Sequence, residues 1–282
     1  MIWFTLLVLL NGSFAGSIID STQQTVEVDK PQRIVTVASN VTETVFALGM
    51  GDQVVGVDSS SLHPSEAQSL PKVGYFRQIN AEGILSLSPD LVIATDAAGP
   101  PAIIEQIRGS GVPIAVLDSA KSFDGAQRRI TQIATLLDQA EEGAVLTKLM
   151  QEKISTMKKP ETAPKVLFIY ARGAGSQNVS GTNTAASAMI ELAGGINAVS
   201  EYEGYKPMSA EAIIKASPDY VLFTQRGLES IGGVDAAAQL SGIAQTPAGQ
   251  NKKIIAVDDL LLLGFGPRTS EGAIALSKAI QE

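Results

Sequence analysis

Two stretches decide the fold: Asn80-Ala81-Glu82-Gly83-Ile84-Leu85-Ser86-Leu87-Ser88-Pro89-Asp90-Leu91-Val92-Ile93-Ala94-Thr95 and Met208-Ser209-Ala210-Glu211-Ala212-Ile213-Ile214-Lys215-Ala216-Ser217-Pro218-Asp219-Tyr220-Val221-Leu222-Phe223-Thr224. At an offset of 129 positions, with Ile79 set opposite Met208, they agree at eight of seventeen positions, among them the run Glu-x-x-x-x-x-Ser-Pro-Asp. Each reads as a short helix, a Ser-Pro-Asp turn where Pro cannot continue the helix, and a buried strand. A unit used twice predicts two similar lobes.

Working outward, apolar β-branched runs predict strands at 33–38, 54–57, 91–94, 114–117, 165–170, 220–224 and 253–257. Helical stretches separate them. Ser39-Asn40 reads as the cap of a helix that runs to Gly49, with Glu43 in its first turn, where a carboxylate suits the dipole. Strands alternating with helices mean βαβ units and a parallel sheet, so the fold class is α/β, two Rossmann-like lobes. Residues 16–121 form the N-terminal lobe and 160–282 the C-terminal lobe. Between them, residues 122–159 show helical spacing throughout (Ile130, Ile133, Ala134, Leu137, Val145, Leu149, Ile154), which predicts a single long interlobe helix. Two ordinary helices are the alternative.

Residues 1–15 read as a signal peptide: an apolar run to Leu10, then Ser13 and Ala15 as the small residues of a cleavage site. No Lys or Arg precedes the run, which departs from the usual pattern. The net charge of −8 argues against nucleic acid and against an anionic membrane surface as partners. The chain has no Cys, which excludes thiolate metal sites, thiol nucleophiles and a lipid-anchored N-terminal Cys. Its single His, His63, rules out a His-rich metal site and reads as a loop residue.

The unrepeated segment Lys72-Val73-Gly74-Tyr75-Phe76-Arg77 precedes the first copy. In an extended chain Tyr75 and Arg77 point to the same side. A guanidinium beside a phenol favours the phenolate, a hard anionic ligand suited to ferric haem iron. The plainer reading is a half-buried Tyr beside a solvated Arg. Arg172, Arg226 and Arg268 each follow a predicted strand end or the loop beyond it, where open α/β sheets bind ligands, although each also reads as surface charge. Glu82 and Glu211 hold equivalent repeat positions. They read either as first-turn carboxylates or as one docking carboxylate per lobe. No Gly-x-Ser-x-Gly, phosphate-binding loop or metal-spaced carboxylate pair is present, so catalytic machinery is poor here.

With Arg33-Ile34-Val35, the helix at 42–49 and the doubled Glu-x-x-x-x-x-Ser-Pro-Asp, the chain resembles periplasmic binding proteins of the iron-chelate and cobalamin class. Lys72-Val73-Gly74-Tyr75-x-Arg77 and Gly264-Phe265-Gly266-Pro267-Arg268 make it most similar to the haem-transport branch. The resemblance implies a monomer in the periplasm that carries haem to an inner-membrane ABC permease. It implies Tyr75 as the axial iron ligand with Arg77 hydrogen-bonded to its oxygen, Arg226 on the opposite wall, and Glu82 and Glu211 docked on the permease. Arg172 and Arg268 are further candidates for the haem site. With no His after His63, one haem is expected. A ferric siderophore or cobalamin carrier, or an extracytoplasmic haem-modifying enzyme, is the alternative.

Overall fold

The structure is a computed structural model that describes residues 16–173 and 177–281; the expected signal peptide lies outside them, as does part of the loop after residue 171. In the first lobe a hairpin, β1 (Gly16–Ile19) and β2 (Thr25–Val28), precedes β3 (Ile34–Val37), α1 (Ser39–Ala47) and β4 (Val54–Val57). A small hairpin follows, β5 (Gly74–Tyr75) and β6 (Gln78–Ile79), then α2 (Ala81–Leu85), β7 (Leu91–Thr95), α3 (Pro101–Gly109) and β8 (Ile114–Leu117). The sheet order is β4-β3-β7-β8, all parallel. Every residue of β3, β7 and β8 is buried, as continuous apolar runs covered by helices on both faces must be.

The expectation of one unbroken interlobe helix is corrected. Residues 122–159 hold two helices, α4 (Phe123–Leu136) and α5 (Ala140–Ser155), broken at Leu137-Asp138-Gln139. Asp138 takes a left-handed conformation (φ 57°) that reverses the chain. The helices then pack side by side. A Cβ on Gly143 would lie 2.4 Å from that of Ala134, so only Gly permits this approach. Ile133, Ala134 and Leu136 of α4 belong to the first lobe's core. α5 turns to the second lobe, where Ile154 packs on that lobe's core.

The second lobe contains β9 (Lys165–Ala171), β10 (Gln177–Ser180), α6 (Ala185–Leu192), β11 (Ile196–Asn197), β12 (Tyr205–Lys206), α7 (Ala210–Ala216) and β13 (Tyr220–Thr224). It closes with α8 (Gln225–Ser230), α9 (Gly233–Ala238), α10 (Pro247–Gln250), β14 (Ile254–Val257), α11 (Asp259–Leu263) and α12 (Thr269–Ala279). Its sheet runs β12-β10-β9-β13-β14, with β11 also on β9. β10 lies antiparallel to β9, which has no counterpart in the first lobe.

The repeat does the same physical work in both copies. Ser88 and Ser217 both take left-handed backbone, φ 46° and 48°, which turns the chain out of the helix. The following aspartate then fastens the neighbouring parallel strand. Asp90 accepts from the amides of Gln32 (2.7 Å) and Arg33 (2.9 Å), just before β3. Asp219 accepts from the Lys165 amide (2.8 Å), where β9 begins.

Candidate functional site

The Tyr75 segment is a tight hairpin. Tyr75 pairs with Gln78, and Phe76-Arg77 form the two-residue turn. Gly74 has φ 104°, and a Cβ there would meet the Gln78 carbonyl at 2.7 Å, so the hairpin closes only with Gly. The turn corrects the extended reading, since Tyr75 and Arg77 no longer alternate along one strand. Among the described residues no hydrogen bond joins Arg77 to Tyr75. The Arg77 guanidinium lies 5.1 Å over the Phe76 ring instead, and Tyr75 packs edge-on against the same ring at 4.6 Å. Phe76 is partly buried against the lobe's core. Tyr75 itself is 39 % exposed, which leaves it open to a ligand.

The charge of Arg77 acts across to Tyr205 of β12 in the second lobe. Although the Tyr205 residue is 41 % exposed overall, desolvation around its phenol pushes that group up, against the nearby Thr184 side chain and Ala186 backbone and against the positive field of Arg77. The Tyr205 ring packs on Phe168 (6.3 Å) and Tyr170 (5.9 Å). Tyr170, near the carboxyl end of β9, accepts two hydrogen bonds at its phenol oxygen, from Arg172 Nε (3.0 Å) and Nη2 (2.6 Å). The arrangement expected of Tyr75 and Arg77, a guanidinium on a phenol oxygen, is therefore found at Tyr170 and Arg172. The local reading passed over Tyr170 and Tyr205. For Tyr170 the signal was present, because Tyr170-x-Arg172 repeats the spacing of Tyr75-x-Arg77.

Arg226 stands in the first turn of α8, beyond the carboxyl end of β13, the strand next to β9. It is exposed, and its backbone amide donates to Asp259 (3.3 Å). Thus Arg172 and Arg226 share one edge of the second sheet. Arg268 does not join them. It forms a two-pronged ion pair with Glu43 of α1, Nε to Oε2 at 3.0 Å and Nη2 to Oε1 at 2.9 Å. Glu43 accordingly sits one turn into the helix, facing the other lobe, and not in the first turn against the dipole. The cap of α1 is Ala38 and not Ser39; the Ala38 amide donates to Asp58 (3.0 Å). His63 is exposed.

Between the lobes opens a polar pocket of about 340 Å³, lined by Asp118, Ser119 and Lys121 of the first and Asn183, Thr184 and Ser187 of the second. Lys121 Nζ donates across it to the Asn183 carbonyl (3.2 Å). Thr184 Oγ1 hydrogen-bonds the hydroxyl of Ser180, the strand partner of Tyr205. Tyr75 is not among its lining residues. Glu82 and Glu211 are exposed in the first turns of α2 and α7, under caps from Asn80 and Ser209.

Comparison with known proteins agrees with this architecture. The periplasmic heme-binding protein RhuT from Roseiflexus sp. RS-1, in its apo form, is 45 % identical, with a TM-score of 0.84 over 89 % of this chain and 98 % of that one. The periplasmic heme-binding protein HutB of Vibrio cholerae is 38 % identical, with a TM-score of 0.80 over 89 % and 99 %. A Vitamin B12-binding protein of Pectobacterium atrosepticum is 31 % identical over 200 residues, 68 % of this chain and 71 % of its own. The sequence profile of the periplasmic binding proteins matches residues 34–260. The chain belongs to the periplasmic binding protein family.

Proposed function

We propose that this protein binds haem between its lobes, in the periplasm, and delivers it to an inner-membrane ABC importer. The observation that carries the reading is an open phenol, Tyr75, on the first lobe, beside Arg77, whose charge acts on Tyr205 of the second lobe, where Tyr170 and Arg172 gather. A flat apolar ring with an iron at its centre and carboxylates at its edge asks for a phenol on its face, aromatic contact and guanidinium groups at the rim. Tyr75 is the axial ligand in this reading. Arg172 and Arg226, at adjacent strand ends, meet the carboxylates, and Arg77 closes the rim from the first lobe. Glu82 and Glu211 dock on the permease. The likeness to solved heme-binding proteins along nearly their whole length supports haem over cobalamin.

A second assignment of the iron ligand has one specific observation in its favour. Tyr170 is the phenol whose oxygen receives two guanidinium hydrogen bonds, the contact that stabilises an anionic oxygen.

The test is an absorption titration of the purified protein with hemin and, separately, with cyanocobalamin, using wild type, Tyr75→Phe and Tyr170→Phe. Saturable hemin binding with a ferric phenolate spectrum, lost in Tyr75→Phe alone, establishes the reading. Loss in Tyr170→Phe alone moves the ligand to the second lobe. Saturable cyanocobalamin binding with no hemin binding overturns haem as the cargo.

A further inference from the structure

Glu43 is an acid almost without solvent. Its side chain is 4 % exposed, between the buried Val41 and Val45 of α1. Burying a carboxylate costs several kcal/mol unless a partner compensates. Its partner comes from the other lobe: Arg268, in the loop between α11 and α12. Burial pushes the Glu43 carboxyl up, opposed by the bonds and charge of Arg268, with His63 adding to Arg268 and Asp258 opposing it. Both Glu43 oxygens accept from the guanidinium, as an ionised carboxylate does.

Two more first-lobe side chains reach the same loop. Asn40 Nδ2 donates to the Gly264 carbonyl (2.9 Å), and Arg129 Nη2 of α4 donates to the Phe265 carbonyl (2.7 Å). Arg129 is itself buried, which pulls its guanidinium down to about 10. Gly266 rests against α1; a Cβ there would lie 3.3 Å from Asn40 Cα. Phe265 is held in left-handed backbone, φ 49°, with its ring buried in the second lobe's core. The loop is thus anchored in one lobe by packing and in the other by directional polar bonds.

We propose that Glu43 and Arg268 are a positioning pair that sets the angle between the lobes and hence the width of the ligand cleft. Two parallel N–H···O bonds fix both a distance and a plane, which an apolar contact would not. The pair acts on the ligand only through the walls it holds. The inference stands whether the cargo is haem or another chelate.

The test uses the full chain, whose lack of cysteine lets spin labels report only where they are placed. Ser86→Cys and Lys215→Cys put one label on each lobe, both exposed and at equivalent repeat positions. Pulsed electron paramagnetic resonance then gives the interlobe distance distribution without any ligand. Glu43→Gln and Arg268→Gln are each expected to broaden or shift a narrow wild-type distribution. The double variant should add nothing, because either change alone removes the pair. Arg268→Lys, which keeps the charge but loses the fork, should fall between and covers the case of a poorly folded glutamine variant. Where hemin binds, its dissociation from Arg268→Gln should quicken about tenfold with an unchanged Soret spectrum. Lower melting temperatures with wild-type distances in all three single variants would overturn the proposal, leaving the pair a matter of stability alone. Failure of hemin to bind would leave the distance measurement intact.

Discussion

Replacing the turn aspartates, Asp90→Ala and Asp219→Ala, tests whether the doubled Ser-Pro-Asp is a strand fastener. The structure makes the two copies unequal. Asp90 loses two amide hydrogen bonds, at 2.7 and 2.9 Å, and Asp219 loses one, at 2.8 Å. Hydrogen bonds to charged groups are worth about 1.5–3 kcal/mol, but both aspartates are exposed, so about 1 kcal/mol per bond is the appropriate figure. Asp90→Ala should therefore cost about 2 kcal/mol and Asp219→Ala about 1. For a protein of this size those losses lower the melting temperature by roughly 4 to 8 °C and 2 to 4 °C. Differential scanning calorimetry at neutral pH and moderate salt reads both. An equal cost, or a greater cost at Asp219, would refute the reasoning, because the repeat would then stabilise through something other than these bonds.

Three further outcomes follow from particular contacts. Substituting Glu82 and Glu211 together by Ala should leave hemin affinity unchanged and reduce uptake by vesicles carrying the permease; an unchanged uptake rate would remove both from docking. Asp20 is held below its usual 3.8, since bonds from Thr22, Gln24 and Val116 outweigh the upward push of burial. A depressed carboxyl stabilises the fold fully above its unfolded pKa and loses that contribution as pH falls through the folded one. Asp20→Asn should therefore flatten the loss of stability below about pH 4, measured by urea unfolding across pH. Gly143→Val drives a side chain into Ala134, whose Cβ a Gly143 Cβ would meet at 2.4 Å, and should cost about 1–3 kcal/mol in a thermal melt.

Much of this architecture is legible in the sequence because parallel strands covered on both faces must be apolar from end to end. Val35, Ile93 and Val221 announce their strands without any partner being known. The break between α4 and α5 is not legible. Leu137-Asp138-Gln139 contains neither Gly nor Pro, and the helical spacing of apolar residues runs straight across it. Asp138 supplies the turn by adopting left-handed backbone, which a short polar side chain tolerates and a pattern of hydrophobicity does not record. Likewise the polar run of β10, Gln-Asn-Val-Ser, carries no strand signature and is fixed by pairing with β9 and β12.

In the site the limit is distance along the chain. Arg268 looks like a ligand residue when read beside its own strand, and its partner Glu43 lies 225 positions away. Each sat in a stretch that stood out by resemblance, yet nothing local pairs an acid in a helix with a base in a Gly-Pro loop. The extended geometry expected of Tyr75 and Arg77 fails for a local reason. The spacing i, i+2 means one face only in an extended strand, and here the chain turns back on itself at Phe76-Arg77. Tyr170 and Arg172 keep the same spacing at a strand end, and there the two side chains do meet.

The two copies of the repeat also make the molecule its own caliper. Glu82 and Glu211 project from matching helices, but each helix is bound to a different lobe, and their separation belongs to neither lobe alone. Any rigid surface that engages both must accept one span. A change in the angle between the lobes changes that span, as opening a pair of dividers moves its points. A surface fitted to one span would thus read the angle between the lobes without touching whatever lies between them.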